Sequence, residues 1–357
     1  MDNIDLFREA AAALEEGRPI ALVTVVSTTG STPGKVGYKM LVFGAGEGIA
    51  GTVGGGLLEA KMIEEARRLL YPPTVRLFRF TVGETPDDEK GICGGLVEFL
   101  IETFDRTALP LFQEMSTRTT GGEGGVLVSI LAPGKASRKM RVPDVEHAPV
   151  EFPQEIAEAM RDVAASGQAG VNVSAGGMDV FIENLAVPPT VVLFGAGHVS
   201  SHIARFARSV HFGVVVCDDR PEYANRMRFP DADEIIVKDF VPVFDQVRID
   251  DHSYLVIVTR GHKCDQIVLE QAVRTKARYI GMIGSRQKTR LLLQKLRDKG
   301  VPSGLLDRVY SPIGLSIGAV TPQEIALSIV CELVKVRRLG DEAGIGHMTV
   351  CGREGTV

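Results

Sequence analysis

The sequence predicts an α/β protein in which a mixed α/β half precedes a doubly wound parallel sheet. Three observations carry that expectation. From Thr190 onward, apolar strand-like runs alternate with segments of helical periodicity, the pattern of a parallel sheet flanked by helices. The turn between the first such run and the first such helix is glycine-rich, GAGHVS, and the next run ends on paired acids. Ahead of Thr190 the strand-like runs cluster without regular alternation, so the two halves obey different rules. At 357 residues and 38.5 kDa the chain exceeds one ordinary domain. The stretch Ala186-Val187-Pro188-Pro189 marks the boundary, giving domains 1–187 and 188–340 and a loose glycine-rich tail, 341–357.

In order along the chain, MDNIDLFREAAAALEEG reads as an amphipathic helix rather than a leader peptide. Ile20 to Val26 is a strand, STTGSTPGK a polar turn, and YKMLVF and IAGTV two short strands. From Gly56, LLEAKMIEEARRLL has helical spacing, stopped by Tyr71-Pro72-Pro73. VRLFRF, LVEFLIE and VLVSIL are strands, with a helix from Leu109 to Met115. Ala132 to Pro153 turns polar and proline-bearing and is expected to be a long surface loop, after which MDVFIENL is strand-like. In the second half VVLFG, VVVCDD, YLVIVTR and RYIGMIG are strands. HVSSHIARFARSV, DQIVLEQAVR and SRQKTRLLLQKLRDKG are helices between and after them. The last helix opens on TPQE, where Thr321 caps, Pro322 takes the first helical position and Glu324 closes a capping box.

Bulk properties exclude several classes. A net charge of -5 supplies no broad positive field for nucleic acid. No apolar run is long enough to span a membrane. Cys93, Cys217, Cys264, Cys331 and Cys351 are odd in number and never form CxxC, so neither a disulfide framework nor a zinc site is expected. A cytoplasmic chain with buried or reactive thiols is the expectation.

Gly195-Ala196-Gly197-His198-Val199-Ser200 matches the Rossmann fingerprint GxGxxG with serine in the third place. Gly195 would make the tight turn and Gly197 would let a pyrophosphate approach the helix N-terminus. Asp218 stands where an acid bonds a ribose hydroxyl in NAD-binding units. Ligands of such sheets bind beyond the carboxyl ends of the strands. One loop there gathers Arg260, Gly261, His262, Lys263, Cys264 and Asp265. A second holds Ser285 as a helix cap, with Arg286 and Lys288 in the helix's first turn, where cations oppose the dipole unless an anion binds. A third is Ser311-Pro312-Ile313-Gly314-Leu315-Ser316. In the first half, Gly54, Gly55 and Gly56 precede a helix and offer backbone N–H groups to a ligand. Cys93 sits beside two further glycines, Gly94 and Gly95.

Eight stretches occurring in order resemble one family. GSTPGKVGYKML, GTVGGGLLEA and CGGLVEF are similar to the amino-terminal half of the XdhC/CoxI family, the xanthine dehydrogenase accessory proteins. FGAGHVSSHIARFA, VCDDRPEYANRMRFP, VTRGHKCDQIVLEQAV, YIGMIGSRQKT and PIGLSIGAVTPQEIALSIV are similar to its Rossmann half. The resemblance implies a carrier that is not itself a turnover enzyme. Such a protein binds the molybdenum cofactor (molybdopterin) and holds it while a cysteine desulfurase converts oxo to sulfido. It then inserts the cofactor into a molybdenum hydroxylase of the xanthine dehydrogenase type. Arg286 and Lys288 at a helix N-terminus suit the cofactor's phosphate, and Cys93 or Cys264 would be the soft ligands to approach molybdenum. The triple-glycine loop and the Rossmann loops are then expected to face one crevice, in one chain or across a homodimer. The alternative is an NAD(P)-dependent oxidoreductase, for which His198, His262 and Lys263 are the nominees at the hydride-transfer site.

Overall fold

The structure is a computed structural model that describes residues 3–44, 46–82, 95–116, 124–185 and 187–340. The described chain forms two compact units, the second beginning at Val187.

The first unit opens with helix α1 (Asn3–Glu15), strand β1 (Ile20–Thr29) and the short strands β2 (Lys39–Val42) and β3 (Ile49–Gly51). Helix α2 (Gly56–Leu69), strands β4 (Val75–Val82) and β5 (Gly95–Phe104) and helix α3 (Leu109–Ser116) follow. These strands make an antiparallel sheet in the order β3-β2-β1-β5-β4. Alternation along β1 sorts its side chains: Ala21, Val23 and Val25 pack under α2, while Ile20 and Leu22 pack with α1 and α3.

A second antiparallel sheet, β7-β6-β9-β8, contains β6 (Val126–Ile130), β7 (Arg138–Val142), β8 (Gly170–Ala175) and β9 (Met178–Asn184). Helix α4 (Gln154–Ser166) covers its outer face through Ile156, Met160 and Val163. The segment expected to be a long loop therefore contains a strand. Ala132-Pro133-Gly134-Lys135 is a tight turn, closed by the Lys135 N–H on the Ala132 carbonyl, that returns β7 onto β6. Arg138, Lys139 and Arg141 mask the strand in the sequence because their charges are matched only in the folded unit: Lys139 is paired with buried Glu102, and Arg141 with Glu114. Helix α4 and strand β8 give no clear sequence signal for the same reason, their mixed polar composition.

The second unit alternates as expected. It comprises β10 (Thr190–Phe194), α5 (His198–Ser209), β11 (Gly213–Asp218), β12 (Glu234–Val237), β13 (Ser253–Ile257), α6 (His262–Ala272), β14 (Tyr279–Met282), α7 (Arg286–Asp298), α8 (Ser303–Leu306), β15 (Val309–Tyr310) and α9 (Pro322–Leu339). All pairings are parallel, in the order β12-β11-β10-β13-β14-β15. That is the Rossmann order, with its switch point between β10 and β13. The four central strands β10, β11, β13 and β14 are buried on both faces, between one core under α5 and α9 and another under α6 and α7. β12 and β15 are short edge strands that the sequence pattern does not announce. The Thr321 capping box of α9 forms in full. Among the described residues no helix is long and apolar enough to cross a membrane.

Candidate functional site

The carboxyl ends of β10, β11, β13 and β14 collect Gly195, Gly197, His198, Asp218, Arg260, His262, Cys264, Ser285, Arg286 and Lys288 on one rim of the second unit. Two helices begin there from neighbouring strands and lie on opposite faces of the sheet, α5 after β10 and α6 after β13. Each starts from a glycine, Gly197 and Gly261, and no side chain caps either one. Their first-turn N–H groups have no acceptor within their own helix and carry the positive end of the dipole.

The two glycines of the fingerprint turn have different causes. Gly195 has φ +111, and a Cβ there would lie 2.4 Å from the Val258 carbonyl oxygen, so the neighbouring strand's end demands glycine. Gly197 has φ -74 and nothing within 4 Å of a would-be Cβ. Nothing in the described protein excludes a side chain there; the open space lies where a phosphate would meet the backbone. Ser200 closes the turn by donating its hydroxyl to the Gly195 carbonyl at 2.5 Å.

Several of the rim's cations already have anions. Buried Asp218 accepts the Ala196 N–H at 2.8 Å and is gripped by Arg220, Nε at 2.9 Å and Nη2 at 3.0 Å. Burial opposes its ionisation, but the Arg220 guanidinium and the Ala196 N–H prevail and hold the carboxyl below the usual carboxylate range. The oxygens expected on a ribose are thus engaged within the protein. Arg260 pairs with Asp219 at 2.6 Å. Lys288 pairs at 2.6 Å with Asp265, which is fully buried and also accepts the Thr259 hydroxyl at 2.6 Å. Ser285 caps α7 through the Lys288 N–H, as expected. Arg286 and Lys263 form no ion pair among the described residues and remain the cations free for a ligand. Asp219 and Arg220 lie at the same rim; the stretch VCDDRPEYANRMRFP contains both, but neither is among the candidate site residues of the sequence.

Cys264 lies in the first turn of α6, partly buried against the core. Cys217 is buried at the end of β11, where burial and the nearby Glu234 and Asp218 push its thiol well above the usual range. Among the described residues no three His, Cys, Asp or Glu side chains group to hold a metal ion. Cys93 lies outside the described residues.

Gly54, Gly55 and Gly56 belong to the first unit, and their loop surrounds a carboxylate of its own. Glu59 accepts the Val53 N–H at 2.9 Å, the Gly55 N–H at 3.1 Å and the Thr52 hydroxyl at 2.5 Å. Burial works against that charge, and these donors outweigh it, holding the Glu59 carboxyl below its usual range. Gly54 (φ +129) has a second reason to be glycine: a Cβ would lie 2.7 Å from the Gly34 nitrogen, so the loops around Gly34 and Gly54 touch backbone to backbone.

Comparison with known proteins follows the same division. A model described as the XdhC and CoxI family matches residues 13–80, and one described as the XdhC Rossmann domain matches residues 191–333. A Bacillus subtilis protein, named as a probable subunit of xanthine dehydrogenase, is 26% identical over 330 residues, covering 92% of this chain and 96% of its own. The molybdenum cofactor insertion chaperone PaoD of Escherichia coli is 22% identical, over 94% of this chain and 89% of its own. A further Escherichia coli relative is 27% identical over 94% of this chain, which spans only 46% of that protein's length. A solved structure from Bacillus halodurans, described as a xanthine dehydrogenase, is similar with a TM-score of 0.75 and 28% identity, covering 96% of this chain and 98% of that one.

Proposed function

Since the chain belongs to the XdhC and CoxI family, we propose that it is an accessory protein of molybdenum hydroxylases, one that binds the molybdenum cofactor and inserts it into an enzyme of the xanthine dehydrogenase type. One observation carries this reading: two uncapped helix N-termini follow the neighbouring strands β10 and β13 at the switch point of the second unit's sheet, one on each face, each on a glycine with open space beside it. Such a place receives a phosphate through backbone N–H groups and needs no catalytic side chain. The cofactor is cargo here, and its terminal phosphate would take the first-turn N–H groups of α5 and α6. Arg286 and Lys263 would complete the charge. The open sides of Gly197 and Gly261 admit a flat ring close to the backbone.

Holding the cofactor while a cysteine desulfurase exchanges its oxo ligand belongs to the same reading, as does a soft thiolate contact from Cys264 or Cys93. The names of the insertion chaperone and of the probable xanthine dehydrogenase subunit support the accessory and insertion role. An NAD(P)-dependent oxidoreductase is less well supported, because the Asp218 carboxylate is already engaged by Ala196 and Arg220. The test is to purify the chain from cells that make the cofactor, oxidise the sample and measure pterin fluorescence. Pterin in about one equivalent per chain or per dimer is the expected result. No pterin, together with no uptake of supplied cofactor, removes the proposal.

A further inference from the structure

Asp219 and Arg260 lie on opposite sides of the fingerprint turn. In the second unit β10 runs between β11 and β13, and Phe194 is level with both Cys217 and Ile257. The loops that leave β11 and β13 therefore flank the turn Gly195-Ala196-Gly197 that leaves β10. Neighbouring strands stand about 4.8 Å apart, so side chains from β11 and β13 meet only by reaching across the end of the strand between them. Asp219 and Arg260 do meet, at 2.6 Å.

From this geometry we infer that the Asp219–Arg260 pair is a displaceable strap across the phosphate-receiving turn, opened when a phosphate-bearing ligand replaces Asp219 on Arg260. The inference rests on the phosphate site proposed above and deepens it by naming what controls entry. Three features make the strap easy to release. Arg260 is 46% exposed, so the pair is weakly held compared with a buried one. Only one Asp219 oxygen is satisfied: Oδ1 is buried without a hydrogen-bond partner, with Arg220 Nε 3.8 Å away. Opening returns that oxygen to water. The guanidinium, for its part, loses nothing when it exchanges a single carboxylate contact for a phosphate, to which it can donate two parallel hydrogen bonds. The neighbouring Arg220 is not released in this way, because Asp218 holds it at two points. The strap thus favours ligands with a phosphate dianion over neutral ligands of the same shape, which cannot replace Asp219.

The experiment is calorimetric titration of the full chain with inorganic pyrophosphate, for the wild type, Asp219→Asn, Arg260→Gln and the double variant. Thermal unfolding checks that each is folded, with Arg260→Lys standing in should the glutamine variant not fold. Asp219→Asn is expected to bind roughly two- to tenfold more tightly, since it no longer competes for Arg260. Arg260→Gln is expected to bind roughly tenfold or more weakly, and the double variant to match it. Hydrogen exchange at the amides of residues 196–200 is expected to be faster in Asp219→Asn than in wild type. Weaker binding in Asp219→Asn would show that Asp219 merely supports the site and would overturn the strap, as would unchanged binding in Arg260→Gln or no pyrophosphate binding by any form. Retention of pterin by the wild type separates the two ideas. Pterin retained with all variants alike defeats the strap and leaves the carrier reading standing. The expected pyrophosphate pattern without pterin does the reverse.

Discussion

Lys288 Nζ lies 2.6 Å from Asp265 Oδ2, and the Asp265 side chain has no exposed surface. A cation in a helix's first turn calls for an anion, and here the anion comes from the adjacent helix α6. The same holds where Glu59 fills the glycine loop of the first unit and where Asp218 takes the Ala196 N–H. The free positive groups are therefore fewer than the rim's composition implies, and Arg286 is one of them.

That contrast separates two neighbouring cations. Lys288→Gln would strand a buried carboxylate and is expected to cost about 3 kcal/mol of stability, read from urea unfolding. Arg286→Gln is expected to stay within about 0.5 kcal/mol of wild type while lowering retention of cofactor or pyrophosphate. Equal destabilisation by both changes would contradict the assignment.

The two fingerprint glycines are expected to diverge in the same manner. Gly195→Ala places a methyl on the Val258 carbonyl at a φ that alanine avoids, costing roughly 2–4 kcal/mol. Gly197→Ala meets no atom and an ordinary φ, so its stability should match or exceed the wild type by up to about 1 kcal/mol. Its ligand retention should nonetheless fall, because the added methyl occupies the open side of the turn. Unfolding curves and retention assays on the same preparations check both halves.

Acid is expected to weaken the second unit partly through Asp218. Its folded pKa is depressed, so its stabilisation is complete above the unfolded value of about 4 and fades as the pH falls through the lower folded value. Asp218→Asn should therefore be less stable than wild type at pH 7, with the difference shrinking on titration below about pH 4. A difference that stayed constant to pH 2 would mean that the carboxylate's charge contributes nothing. The same engagement predicts no micromolar binding of NAD(H) or NADP(H) by the wild type in calorimetry.

Within the first unit, each sheet gives one lysine and one glutamate to the other. Lys39 of β2 pairs with Glu183 of β9, and Glu102 of β5 pairs with Lys139 of β7, all four side chains being buried. Burial lowers the Lys39 pKa, opposed by the charge of Glu183. Lys39→Met alone is expected to cost roughly 3–5 kcal/mol, whereas Lys39→Met with Glu183→Met should regain most of it. Additive losses in that cycle would show that the two residues act separately.

The four central strands of the second unit, its longer helices and the cap of α9 are legible in the sequence because hydrophobic periodicity and end signals are local properties, set within a few residues of each position. The ordered motifs likewise carry the family, and the glycine turn its place at the sheet's rim. Strand β7 and helix α4 are not legible in this way, because polar residues such as Lys139 find their partners far along the chain, here Glu102. What the sequence could not express was which charges cancel. Asp265 and Lys288 are 23 residues apart, and Asp219 and Arg260 are 41. A string of side chains shows how many cations and acids a rim contains, but only folding brings each to its neighbour, and electrostatic attraction acts on that separation alone.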